Sequence, residues 1–474
     1  MTESVRRKRT LRPAMLVCGV IALVLCQPAW SQTDGRRIYD EQLRVRLDQQ
    51  IPGAKEMGLD AGGWFNFAVF NYNDTIARRT RTLRQFELRG WASVNIQGVH
   101  RAYVRGLVGW DDWNAGSNPT SGRGDEDTDP EIERAWYQFD LAQIHRNRTG
   151  KEPPVGFKVK VGREYAEIGT ALVLSLPLDM IQFDLRANDW DVMAILGKTR
   201  SETANIDDSD AVATHMRRCI WGVEVAYNGF DRHRPFAYFL SNEDDTNARP
   251  FDPTQNYAYE SRYVGIGSEG TVLLPNLSYQ AELVGEWGKT YSEGVAAGRD
   301  NVQAWAADVV TEYIFERPTK PRVNFEYLYA SGDGDRRSSA TSTIGGNEAG
   351  SDDNAFNAFG FRDTGLSFAP RVSNLQMYAL GASFFPLEKH ELFKKMEVGT
   401  KVFAFQKADS HGPISDTDAS KDSRWLGWEW DVFCDWRLTS DVTFTIRYGA
   451  FQPGAAFDNN SCRQFLYSAL TFSF

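Results

Sequence analysis

The chain has 474 residues, with 53 Lys and Arg against 63 Asp and Glu, for a formal net charge of −10. An acidic balance of this kind speaks against nucleic acid as a partner and does not fit a protein that grips anionic lipid head groups. Beyond residue 31 no run of about 18 apolar residues occurs, which excludes a helical membrane span. A membrane barrel escapes that test, because its strands alternate apolar and polar residues.

The N-terminus reads as a secretory signal. Arg6, Arg7, Lys8, Arg9 and Arg12 form a basic head, Ala14 to Cys26 an apolar stretch, and Ala29-Trp30-Ser31 a small-residue cleavage site before Gln32. Leu25 ahead of Cys26 argues against a lipoprotein. We therefore expect residues 1–31 to be a cleaved signal peptide and 32–63 a periplasmic leader, in which Tyr39 to Gln50 could form a short helix. The mature cysteines Cys219, Cys434 and Cys462 offer neither a disulfide framework nor a metal-ligand spacing.

From residue 64 onward the dominant signal is alternation with a period of two. Successive side chains of a strand point to opposite faces, so one face can meet lipid and the other water. In 85–97, Phe86, Leu88, Gly90, Ala92, Val94 and Ile96 oppose Gln85, Glu87, Arg89, Trp91, Ser93, Asn95 and Gln97. Leu277, Tyr279, Ala281, Leu283 and Trp287 oppose Ser278, Gln280, Glu282 and Glu286. Val323, Phe325, Tyr327 and Tyr329 oppose Arg322, Asn324 and Glu326. Leu426, Trp428, Trp430, Val432 and Trp436 oppose Gly427, Glu429, Asp431, Asp435 and Arg437.

The pattern predicts an all-β fold, a transmembrane antiparallel β-barrel of about 18 strands over residues 64–474. The spans are 64–72, 83–97, 101–110, 132–141, 156–165, 178–186, 190–198, 215–227, 234–241, 262–270, 276–289, 302–315, 321–331, 374–385, 396–407, 425–437, 442–451 and 463–474. The links keep phase with this count. Short ones at 98–100, 187–189, 228–233, 271–275, 316–320 and 438–441 alternate with long ones at 111–131, 199–214, 242–261, 290–301, 332–373 and 408–424. Links 142–155 and 386–395 are long for the slots they occupy. The 29 Phe, 18 Tyr and 14 Trp suit aromatic girdles at two membrane interfaces. The last strand alternates through Leu466, Leu470 and Phe472 to a terminal Phe474, an insertion signal for the barrel-assembly machinery.

Enzymatic chemistry finds little support. None of His100, His145, His215, His233, His390 and His411 sits in a catalytic or zinc motif, and there is no Gly-x-Ser-x-Gly elbow. No catalytic residue, metal or cofactor is expected. The acidic clusters Asp125, Glu126, Asp127, Asp129 and Asp333, Asp335 lack the spacing of a twelve-residue calcium loop and read as solvated loops. The long link 332–373 leaves two readings, an inward gate or a mobile surface loop.

Several stretches, in order along the chain, resemble the alginate-export porins of the outer membrane. They are Arg134 ahead of an aromatic strand, Val161-Gly162-Arg163-Glu164, Ala330-Ser331-Gly332-Asp333, Ser373-Asn374-Leu375-Gln376, Leu426-Gly427-Trp428-Glu429-Trp430-Asp431, and Arg447 leading into Gly449-Ala450-Phe451-Gln452-Pro453-Gly454, with Arg463 in the last strand. The resemblance implies a monomeric eighteen-stranded barrel whose arginines attract a polyanionic exopolysaccharide. Carried over by position, it implies Arg134, Arg163, Arg371, Arg447 and Arg463 as lumen-facing cations and Glu429 and Asp431 as their acidic partners. Expected partners are outer-membrane lipid, the polysaccharide as solute, the assembly machinery and periplasmic export proteins. The other reading is a diffusion porin for a different small solute.

Overall fold

A computed structural model describes residues 57–74, 79–118, 125–200, 217–245, 258–292, 299–336, 339–340, 344–348 and 350–474. The expected signal peptide, 1–31, and most of the expected leader lie outside these residues. The wall strands are β1 (Met57–Asp74), β2 (Arg79–Ile96), β3 (His100–Trp113), β4 (Asp125–Asp140), β5 (Val155–Ile168), β6 (Leu174–Ala187), β7 (Trp190–Thr199), β8 (Arg218–Tyr227) and β9 (His233–Asp244). They continue with β10 (Glu260–Thr271), β11 (Leu277–Ser292), β12 (Arg299–Ile314), β13 (Arg322–Ala330), β15 (Leu375–Phe384), β16 (Met396–Gln406), β17 (Trp425–Arg437), β18 (Val442–Pro453) and β19 (Arg463–Ser473). The short β14 (Ile344–Asn347) belongs to the link between β13 and β15 and lies parallel to the end of β11.

The eighteen wall strands pair antiparallel with their chain neighbours and close where β1 meets β19, from Trp64↔Ser473 to Tyr72↔Phe465. Closure is what hydrocarbon demands, since it leaves no unpaired strand edge in a medium that offers no hydrogen bonds. Alternation then divides the side chains. Leu88, Val108, Val264 and Leu283 are exposed on the outside, while Arg89, Leu107, Tyr263 and Glu282 are buried within. Outward aromatics gather near both ends: Trp221, Trp287, Trp305 and Trp428 towards the long links, Trp190, Phe315, Phe384 and Phe472 towards the short ones.

Short turns follow local chemistry. Between β2 and β3, Gln97 and Gly98 both take positive φ (53° and 72°) and Val99 N–H donates to Ile96 O at 3.0 Å, the tight turn that matches strand twist. The over-long link at 142–155 holds the one helix among the described residues, α1 (Leu141–Thr149). The Asp140 side chain caps it by accepting from Gln143 N–H at 3.0 Å, and Gly150 ends it in the left-handed region. Two boundaries differ from expectation. β1 begins at Met57, so residues 57–63, assigned to the leader, are strand paired with the end of β2. In β17 the register shifts at Gly427, whose φ is +130°, and this turns Leu426 inward, away from the face of Trp428.

Gly162 in β5 has a φ of +131°, and an added Cβ would overlap the carbonyl of Ala135 on β4. Gly162→Ala should therefore destabilise the β4–β5 seam by about 1–3 kcal/mol. The check is urea unfolding followed by the heat-sensitive mobility of the folded barrel; an unchanged midpoint would show that the seam relaxes without strain.

Candidate functional site

The link between β13 and β15 folds into the barrel. Its Phe356, Phe359 and Phe368 join Leu174, Leu176 and Leu178 of β6, Phe403 and Phe405 of β16 and Phe451 of β18 in one apolar core. Phe368 stacks on Phe451 with centroids 4.2 Å apart. Across the lumen the same loop meets the link that follows β5. Phe359 N–H donates to Val173 O at 2.8 Å, Ser175 N–H to Phe359 O at 3.0 Å, and Phe361 N–H to Ala171 O at 3.0 Å. Of the two readings of 332–373, the inward fold is the one observed for its described residues.

A loop buried this way must find acceptors for its N–H groups, because an unpaired buried donor costs about 1–3 kcal/mol. Wall carboxylates supply them. Glu429 accepts from Leu366 N–H and Ser367 N–H, both at 2.6 Å, and from Phe368 N–H at 2.7 Å; Asp431 accepts from Leu366 N–H at 3.2 Å. Glu286 accepts from Asn357 N–H at 2.8 Å. The link after β5 is held in the same way: Glu282 accepts from Thr170 N–H at 2.6 Å and also from Tyr238 O–H at 2.5 Å, and Glu224 accepts from Gly169 N–H at 2.8 Å. Two cations complete the clamp. Arg362 of the loop donates to Asp308 at 2.6 Å and to Thr170 O at 2.7 Å, and Lys401 bridges Glu326 at 3.2 Å and Asp363 at 3.0 Å. Glu429 and Asp431 thus hold the loop through its backbone and are not the acidic partners expected for the arginines.

Three of the five expected arginines do point inward. Arg134 pairs with Glu164 at 3.1 Å, which also faces Lys160 at 3.6 Å. Arg447 pairs with Asp435 at 3.2 Å and lies over Phe433. Arg463 pairs with Asp416 and, at 3.2 Å, with Asp418, and so ties the 407–424 link to the wall. Arg371 stands on the inward loop and not on a wall strand; its N–H donates to Ser415 Oγ at 2.9 Å. Arg163 is a correction. It shares the face of Val161, which is 44% exposed, and forks onto Asp179 at 2.7 and 3.0 Å on the outer surface.

Other inward groups were visible only as an unranked polar face. Arg89 and Arg105 are fully buried, both bonded to Glu133 (3.1 and 2.9 Å), with Arg89 also on Glu87 at 2.9 Å, and both lie over the Trp64 ring. Both signs occur around the barrel. Contiguous strands β2 to β5 carry inward Arg89, Arg101, Arg105, Arg134, Lys158 and Lys160 among the inward carboxylates Glu87, Asp111, Glu133 and Glu164, while β11 to β17 carry Glu282, Glu286, Asp308, Glu326, Glu429 and Asp431 with Lys401. The acidic arc is the one that anchors the loop.

Because Glu429 alone takes three backbone donors, Glu429→Gln leaves one of them facing an amide N–H. The loop's docking should weaken by about 1–3 kcal/mol. Single-channel recording should show larger or flickering conductance. A steady, unchanged current would mean that aromatic packing alone fixes the loop.

Comparison with known proteins agrees with this geometry. No curated protein matches the sequence. The OccAB2 porin of Acinetobacter baumannii is similar at 10% identity, with 88% of this chain and 98% of that one covered and a TM-score of 0.52. Pseudomonas aeruginosa OccK11 (OpdR) shows 12% identity, 88% and 96% coverage and a TM-score of 0.51. OccK2 (OpdF) of the same organism, solved in complex with glucuronate, shows 13% identity, 88% and 98% coverage and a TM-score of 0.50. These likenesses establish a shared barrel fold. The alginate-export family model matches residues 78–469, so the chain belongs to the alginate-export family and is a non-enzymatic channel of the outer membrane.

Proposed function

We propose that this channel passes an anionic, carboxylated polysaccharide or its fragments along the basic arc of β2 to β5. The observation that carries the reading is the arrangement of the inner wall: carboxylates of the β11 to β17 arc are engaged by the two inward links, while on the other arc Arg134 and Lys160 converge on Glu164. A uronate chain brings a carboxylate on each such sugar. Guanidinium groups can fork onto carboxylates and stay charged at any relevant pH. Several weak sites in series lower the barrier for entry and still let the solute leave. Family membership supports the same class of solute, and a barrel of this fold has been solved with a uronate bound.

The test is conductance of the refolded protein in a planar bilayer, with ion selectivity and block by alginate. Anion selectivity and block are expected, with block weakened severalfold by Arg134→Ala with Lys160→Ala. Arg163→Ala, on the outer face, should leave it unchanged. Cation selectivity without block would overturn the polysaccharide reading and favour a diffusion porin for another small solute.

A further inference from the structure

On the outer face, where β9 to β12 approach the long-link end, a pocket of about 630 Å³ lies among Glu243, Glu260, Arg262, Trp287, Lys289 and Gln303. These side chains alternate with the buried Tyr263, Glu286 and Val302, so the pocket opens outward and not into the lumen. In the β10–β11 register Arg262 stands opposite Trp287 and Glu260 opposite Lys289. Trp287 packs near Phe239 with centroids 6.2 Å apart, and Phe239 near Trp221 at 5.3 Å. Such an outward aromatic belt marks the edge of the hydrocarbon, and the long-link end of an outer-membrane barrel faces the exterior.

The charges around the pocket are unevenly matched. Glu243 accepts from the Trp221 indole N–H at 3.3 Å, and Glu260 pairs with Arg299 at 3.2 Å. Lys289 has a neutral partner, Asn301 Oδ1 at 2.6 Å. Arg262 pairs with no carboxylate among the described residues. Glu260, opposite Lys289, is turned to Arg299, so Arg262 and Lys289 stand at head-group level, just above an aromatic belt, without a close carboxylate contact among the described residues, an arrangement complementary to an anion held at that level.

We propose that this pocket seats the phosphate-bearing head group of an outer-leaflet glycolipid. Arg262 and Lys289 hold the phosphate, the one by its planar fork and the other as a point charge. An acyl chain then descends over Trp287 and Phe239. The site is separate from the lumen and independent of which solute passes.

The experiment is native mass spectrometry of the full-length folded protein in detergent, with bisphosphorylated lipid A and its phosphate-free counterpart as probes. The protein should retain one lipid A, and Arg262→Ala with Lys289→Ala should cut retention by about thirtyfold, as expected for loss of two near-surface cations. Arg262→Lys, which keeps the charge, should retain most of it, and heat-sensitive mobility will show that each variant is folded. Equal retention by the folded double variant, or equal retention of the phosphate-free lipid, would overturn the site.

Discussion

The constraint on which everything else rests is that no backbone hydrogen-bonding group can be left unpaired in hydrocarbon. It forces β1 onto β19, and that single seam, running from Trp64 to Tyr72, makes the wall continuous. Once the wall is closed, side-chain parity has only two destinations, lipid or lumen. The same constraint then operates a second time inside. A loop driven inward by Phe356, Phe359 and Phe368 carries its own N–H groups into a dry region, and they need acceptors there. Wall carboxylates are the answer at three places, Glu282, Glu286 and Glu429, each bonded to a main-chain donor of an inward link. An inner-wall carboxylate in this barrel is thus as much a backbone partner as an electrostatic element.

Much of this was legible in the sequence, and the residues show why. Period-two alternation is set by strand geometry alone, so the count of eighteen wall strands and the phase of short and long links could be read before any contact was known. The resemblance put Arg447 and Arg463 inside, and unbroken alternation in β18 and β19 puts them on the same face. Arg163 could not be placed that way. It follows Gly162, whose positive φ accompanies a close approach of β4, and it lies on the face of Val161 and of the exposed Phe183 opposite. A motif match by position carries no parity, so the resemblance put the residue inside while the strand puts it outside. Leu426 was misplaced for a related reason, since the bulge at Gly427 shifts one residue and reverses one face.

The inward loop was the larger gap. Gly, Ser, Asp and Asn dominate 332–373, and that composition fits a solvated loop as well as a buried one. What decides the matter is nonlocal: aromatics on β16 and β18 and carboxylates on β11 and β17 converge on the loop from strands far apart in sequence. Helix α1 was also hidden, because a nine-residue helix with one buried side chain leaves almost no periodic signature.

The two faces of the wall use arginine in opposite settings, and this explains why composition alone could not assign its role. Inside, Arg89 and Arg105 are fixed by Glu133, Glu87 and the Trp64 ring, an arrangement in which the desolvation of each charge is offset only by close partners. Such pairs stiffen the wall and add little net field. Farther along this arc Arg134 and Lys160 converge on Glu164. Outside, a cation meets lipid head groups, and there the unmatched guanidinium of Arg262 sits among interfacial aromatics. The sign of a residue is therefore a weaker guide than its parity and its bookkept partners: a paired inward arginine is architecture, and an under-compensated one at either surface is where an anion has something to bind.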